Sequence, residues 1–271
     1  MLADKKIGFI GAGAMAEALI TGILEAELVS AEQIYISDLK EERLEELKRE
    51  YGVRLVSNNN ELVSDVDYII LAVKPKVIGK VLNSLDVEIK EGQKVFSIAA
   101  GIKVEEVEYH LKNEVPVIRL MPNTPALIGE GVTAYALGKA ASVADGELVE
   151  RLFSGIGIVI GVEEELMDAV TGLSGSGPAY VYLFIEAFTD AGVNVGLARE
   201  DANALALQTI IGAAKMVLEL EKHPAQLKDM VTSPGGTTIA ALRQLEKAGF
   251  RSAIYEAVAT ARDKAEELRK E

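Results

Sequence analysis

Two rhythms of apolar residues divide this chain. Up to about residue 162, short continuous apolar runs alternate with segments whose apolar residues recur every three to four positions; beyond it only the second rhythm remains. The runs Lys6–Ile10, Gln33–Ser37, Arg54–Val56, Asp67–Val73, Lys94–Ile98, Val115–Leu120, Gly131–Leu137 and Gly157–Gly161 predict strands. Between them, helices are predicted from Gly11–Ala16 to about Ala26, over Glu41–Glu50, after Asn58-Asn59-Asn60, and over Asp145–Phe153. Strands alternating with helices specify an α/β unit with a largely parallel sheet, here residues 1–162.

Residues 163–271 read as helices only. Glu164–Val170 leads into a polar, glycine-rich joint, Thr171–Pro178, and then a very apolar helix, Ala179–Ala191. Arg199–Lys222 follows and ends at His223-Pro224; Ala225–Val231 is short, Thr237 opens another helix, and Phe250–Lys270 is amphipathic. Tyr180, Tyr182, Leu183, Phe184, Ile185 and Phe188 leave the first long helix almost no polar face. Such a helix has to be buried, and a unit of roughly 110 residues has little interior for it. Packing against a second copy is the expected outcome: a homodimer that builds into a larger homo-oligomer.

Two glycine turns carry the candidate chemistry. Gly11-Ala12-Gly13-Ala14-Met15-Ala16 is G-x-G-x-x-A at a strand-to-helix turn: Gly11 for the tight turn, Gly13 for approach of a pyrophosphate, Ala16 for close helix–strand packing. The motif is short, but its place after the first strand is the one a Rossmann-like dinucleotide-binding domain requires. Asp38, at the end of the second strand, suits the hydroxyls of an adenosine ribose and opposes a 2′-phosphate. Ser37, Lys40 and Arg43 offer donors to such a phosphate, so these residues leave NAD(H) and NADP(H) both open. The second turn, Ser233-Pro234-Gly235-Gly236-Thr237-Thr238, runs straight into a helix and presents unpaired N–H groups, a positive dipole end and three hydroxyls to an anion.

Composition narrows the partners. The formal net charge of −14 argues against nucleic acid and acidic membranes, and means that an anionic ligand is held by local N–H groups against the overall field. Cysteine is absent, which excludes disulfides, thiolate metal sites and thiol nucleophiles. No His/Asp/Glu cluster has metal-ligand spacing. The chain shows neither a signal-peptide layout nor an unbroken apolar run of the ~18 residues expected for a membrane span, so a cytoplasmic location is expected.

GAGAMA at Gly11–Ala16, AVKP at Ala72–Pro75, SIAAG at Ser97–Gly101, MPNTP at Met121–Pro125, TGLSGSGPAY at Thr171–Tyr180 and the stretch Ser233–Leu242 follow in order over practically the whole chain. In these motifs the chain resembles the Δ1-pyrroline-5-carboxylate reductase family. The resemblance implies a Rossmann-like domain followed by an all-α dimerisation domain, and reduction of 1-pyrroline-5-carboxylate to L-proline. The implied cofactor is NADP(H), with NAD(H) as the alternative. It also implies that Gly11, Ala12, Gly13, Ala14, Met15, Ser37, Asp38, Asn59, Ala72, Val73, Lys74, Pro75, Ala99 and Ala100 line the cofactor site. Ser233, Gly236, Thr237 and Thr238 would bind the small-molecule substrate, with Glu164 approaching its pocket and Thr238 hydrogen-bonding the imine nitrogen.

Overall fold

The computed structural model describes Leu2 and residues 4–270, with no side-chain description for 268–270. It divides into two compact units: the described residues up to Ser176 together with those from Thr260, and Gly177–Ala259.

The first unit is built on an eight-stranded sheet: β1 (Ile7–Ile10), β2 (Ile34–Ser37), β3 (Arg54–Leu55), β4 (Tyr68–Leu71), β5 (Lys94–Ser97), β6 (Val117–Pro122), β7 (Gly131–Leu137) and β8 (Gly157–Gly161). The strand order is β3-β2-β1-β4-β5-β6-β7-β8. β1 to β6 pair in parallel with their neighbours, β7 runs antiparallel to β6, and β8 is parallel to β7 on the open edge. The parallel pattern therefore breaks at β6–β7, where the turn over Thr124–Ile128 lets the chain double straight back.

Alternate strand residues feed two cores. Ile7, Phe9, Ile34, Ile36, Phe96 and Ile118 face one side. There they meet α1 (Ala14–Glu25), α2 (Glu41–Tyr51) and, later in the chain, the helix over Val143–Phe153. Ile10, Tyr35, Ile69, Leu71, Val95 and Val117 face the other, against α3 (Asn59–Asp65), α4 (Ile78–Asn83) and α5 (Val104–Tyr109). This two-sided burial is why the strands read as continuous apolar runs. With Val143–Phe153 as α6, a four-residue α7 (Met167–Val170) follows, and Thr171–Gly175 winds as a π-helix. The glycine-rich joint is thus a widened helical turn, which its composition does not announce.

The second unit contains α8 (Gly177–Asn194), α9 (Arg199–Leu220), α10 (Pro224–Met230), α11 (Thr237–Lys247) and the first half of α12 (Phe250–Lys270). Among its described residues few are buried: Ala202, Ala206 and Thr189 are. Leu183 on α8 is 67% exposed and Leu218 on α9 is 78% exposed, in company with Tyr182, Phe184, Phe188, Ile211 and Met216. By length and composition α9 could cross a membrane, with a mean hydropathy of 1.2 over its most apolar stretch. The sequence reading missed this because alanines and scattered aliphatics carry the hydropathy, not an unbroken run.

Candidate active site

Four strand ends lie side by side. The register sets Ser37, Ile10, Leu71 and Ser97 level across β2, β1, β4 and β5. The residues just beyond those ends are therefore neighbours: Asp38, Gly11, Ala72, and Ile98 leading to Ala99. Strand order reverses between β1 and β4, the place where open α/β sheets bind ligands.

The first glycine turn fits a dinucleotide. Gly11 has φ +104°, and a Cβ there would come within 2.7 Å of the Ala72 carbonyl oxygen. Only glycine allows both. Gly13 differs: it caps α1 in extended conformation, φ −73° and ψ 177°, and a Cβ on it would meet nothing within 4 Å. The fold does not need that glycine, but a phosphate approaching the backbone does. Gly13 and Ala14 are exposed, so the first N–H groups of α1 open towards solvent.

The turn is held at both faces of one residue. Ala12 N–H donates to Asp38 Oδ2 at 2.8 Å, while the Ala12 carbonyl accepts from Arg43 Nε at 2.9 Å. Asp38 Oδ1 accepts from Lys40 N–H at 2.9 Å. The rest of the Arg43 guanidinium pairs with Glu17 and, at 2.6 Å, with Glu46. Those carboxylates stabilise its charged form further: its pKa lies above the ordinary value, led by the hydrogen bond to Glu46. Arg43 is consequently spent on the protein, leaving Lys40 as the donor, among those the sequence offered, still open to a 2′-phosphate. Ser37 Oγ donates to Asn59 Oδ1 at 2.9 Å, which joins two more expected cofactor residues.

Ala72 N–H donates to the Ile10 carbonyl at 2.9 Å, next to the turn, and Lys74 stands exposed at the start of a short 3-10 turn, Pro75–Val77. Ala99 is buried and Ala100 exposed, on a tight loop closed by Ile102 N–H to the Ala99 carbonyl. Glu164 is engaged inside this unit. Its Oε1 accepts from Val104 N–H at 2.7 Å and lies 3.4 Å from Arg119 Nη1. Arg119, 2% exposed on β6, also lies 3.7 Å from Asp168. Sequence reasoning passed over Arg119, although a lone arginine inside the apolar run of β6 was the available signal.

The second glycine turn belongs to the helical unit. Gly235 has φ +67°, and Gly236 caps α11 with φ −77° and ψ 176°, nearly the angles of Gly13. Gly236 N–H donates to the Ser233 carbonyl at 3.1 Å, and a Cβ on Gly236 would collide with Ser233 Oγ. Ser233 and Thr237 are exposed and Thr238 is half-buried, on the first turn of α11.

This sheet and its switch-point turn define a protein of the Rossmann-like dinucleotide-binding class, here joined to a helical second unit. Residues 6–101 match a family model described as NADP oxidoreductase, coenzyme F420-dependent, and 164–268 match one described as pyrroline-5-carboxylate reductase dimerisation. A pyrroline-5-carboxylate reductase of Methanosarcina acetivorans is 45% identical over 267 residues, covering 98% of this chain and 99% of that one. With that identity over nearly the whole of both, the chain belongs to the pyrroline-5-carboxylate reductase family. Solved structures agree. The Plasmodium falciparum pyrroline carboxylate reductase with NADP bound superposes with a TM-score of 0.87 at 37% identity, covering 98% of each chain. The Coxiella burnetii pyrroline-5-carboxylate reductase reaches 0.91 at 34% identity, covering 97% of this chain and 98% of that one. The helical half carries the family's dimerisation region, so the chain forms a homo-oligomer.

Proposed function

We propose that the chain reduces 1-pyrroline-5-carboxylate to L-proline with NADP(H), NAD(H) being the alternative, and that its two glycine-capped helix starts divide the binding. The observation that carries this is the shared conformation of Gly13 and Gly236, each opening a helix with its first N–H groups unpaired by the turn. When bound, the reduced nicotinamide supplies hydride for the imine carbon.

Residues of the sheet unit hold the dinucleotide. The N–H groups from Gly13 to Met15 receive the pyrophosphate, aided by the α1 dipole. Ser37, Asp38 and Asn59 stand at the ribose end; Ala72–Pro75 and Ala99–Ala100 line the rest.

Residues of the helical unit hold the substrate. The Thr237 N–H and the Ser233 hydroxyl receive its carboxylate at the Gly236 backbone, whose own N–H is held by the Ser233 carbonyl, in a chain whose net charge of −14 would otherwise repel it. Thr238 hydrogen-bonds the ring nitrogen. A threonine hydroxyl is a weak acid, so it orients the imine and relays a proton from water rather than releasing its own. Positioning then supplies most of the rate. Glu164 acts through the loop it holds, since its Oε1 is already shared between Val104 and Arg119.

The domain limits expected from sequence, 1–162 and 163–271, and a cytoplasmic homodimer assembling into a larger homo-oligomer complete this reading. The test is absorbance decay of NADPH and NADH in parallel, with the cyclic imine as substrate. Oxidation that depends on the imine is expected. Nucleotide binding without oxidation would leave a non-catalytic dinucleotide sensor instead.

A further inference from the structure

We infer that buried Arg119 is a positioning residue for the nucleotide, acting through Glu164 on the loop Ile98–Lys103. The inference rests on the reading above in one respect, that Ala99 and Ala100 line the nucleotide site.

The loop is bracketed at both ends by this pair. It leaves β5 at Ser97, whose register partner on β6 is Arg119 itself. It ends at Val104, the first residue of α5, whose N–H donates to Glu164 Oε1 at 2.7 Å. The same Oε1 lies 3.4 Å from Arg119 Nη1, so one oxygen joins the end of the loop to the strand beside its start. Between these ties the N–H groups of the loop make four others: Ile98 N–H to the Leu71 carbonyl, Ala99 N–H to Ser97 Oγ at 3.5 Å, the weak closure from Ile102 to Ala99 at 3.4 Å, and Lys103 N–H to Glu106 Oε1 at 2.9 Å, which caps α5 but does not reach β6.

Burial explains why the tie is stiff. Arg119 is 2% exposed, and a guanidinium taken out of water has to be paired. Glu164 and Asp168 supply the pairing, both from the segment that leads from the sheet towards the helical half. Release of Arg119 from Glu164 would leave the buried cation with Asp168 alone, at 3.7 Å, so Glu164 is held in one position, and with it the amide of Val104. An apolar residue in place of Arg119 would leave Glu164 free to turn to solvent, and the far end of the loop would lose its tie to β6. No part of this requires Glu164 or Arg119 to touch a ligand.

The experiment measures nucleotide dissociation constants by fluorescence titration without substrate, and KM for the imine separately, for Glu164→Ala, Glu164→Gln, Arg119→Met and Ala100→Tyr in the full chain. Glu164→Ala removes the acceptor and should weaken NADPH binding about tenfold with the imine KM unchanged. Glu164→Gln keeps an acceptor for Val104 N–H and should recover most of that binding. Arg119→Met should reproduce the Glu164→Ala pattern; should it fail to fold, the two Glu164 variants decide alone. An imine KM that rises while NADPH binding holds would overturn the inference, because Glu164 would then contact substrate directly. Equal rises in both, or no change in either, would overturn it too. Ala100→Tyr separates the two layers. If it leaves NADPH binding untouched, the loop does not line the nucleotide site at all. If it weakens binding while Glu164→Ala does not, only the positioning role of Arg119 is lost.

Discussion

Asp38 and Ala12 are joined by a 2.8 Å hydrogen bond from the Ala12 amide to Oδ2, so the residue proposed to meet the ribose also braces the first glycine turn. Under that proposal, cofactor choice and turn geometry are coupled in one side chain. Asp38→Asn keeps one acceptor oxygen but removes the charge that opposes a 2′-phosphate. The ratio of kcat/KM for NADPH to that for NADH should rise about tenfold, or ~1.4 kcal/mol. Steady-state kinetics with both nucleotides give the ratio directly, and an unchanged value takes Asp38 out of the choice.

The two helix-capping glycines should respond oppositely to a methyl group. At Gly13 a Cβ meets nothing within 4 Å, so Gly13→Ala should keep Tm within a degree or two while NADPH affinity drops about tenfold or more. At Gly236 the methyl would collide with Ser233 Oγ, so Gly236→Ala should deform the turn and raise KM for the imine. Thermal melts beside nucleotide titrations distinguish the cases. A Gly13→Ala protein that binds NADPH normally would place the pyrophosphate elsewhere.

Thr238→Ala tests the hydroxyl placed on the ring nitrogen. Loss of an interaction made to the reacting group should lower kcat about tenfold or more, whereas loss of simple anchoring would raise KM alone. Saturation kinetics in the imine read the split, and an unaltered kcat removes Thr238 from the mechanism.

Acid stability should depend on Asp145, far from either turn. Burial opposes its ionisation, but the ion pair with Lys94 and the hydrogen bonds from Ser142 N–H and Oγ, each 2.8 Å, outweigh it and hold the carboxyl below its usual range. A folded pKa below the unfolded one adds stability that is complete above the unfolded value of ~3.9 and is lost as pH falls through the folded value. Asp145→Asn should therefore melt below the parent at pH 7, and the difference should close as pH is lowered past ~3.9. A gap that stays constant with pH would show that packing, not charge, sets it.

Much of the sheet unit was legible because burial on both faces writes itself into continuous apolar runs, as in β1, β2 and β4; Gly131–Leu137 and Gly157–Gly161 were also read to the residue, although β8 on the open edge is largely exposed. Ends of other strands drifted, as at Val115–Leu120, observed as Val117–Pro122, because a proline is tolerated where β6 meets an antiparallel neighbour. Long motifs made the family legible. What stayed hidden were relations between distant side chains. That Arg43 is consumed by Glu17, Glu46 and the Ala12 carbonyl cannot be read from a charged helix. Nor can a shared oxygen on Glu164, since Val104 and Arg119 reach it from separate elements. The widened turn over Thr171–Gly175 was equally invisible, as backbone hydrogen-bond register leaves no compositional trace.

If a second copy covers the bare aliphatic and aromatic faces of α8 and α9, the endurance of this enzyme is tied to how much of it is present. Mass action makes the melting temperature climb with protein concentration, and makes dilution a denaturing condition in its own right. Assays run at nanomolar enzyme would then record loss of partners over time as though it were loss of catalytic power.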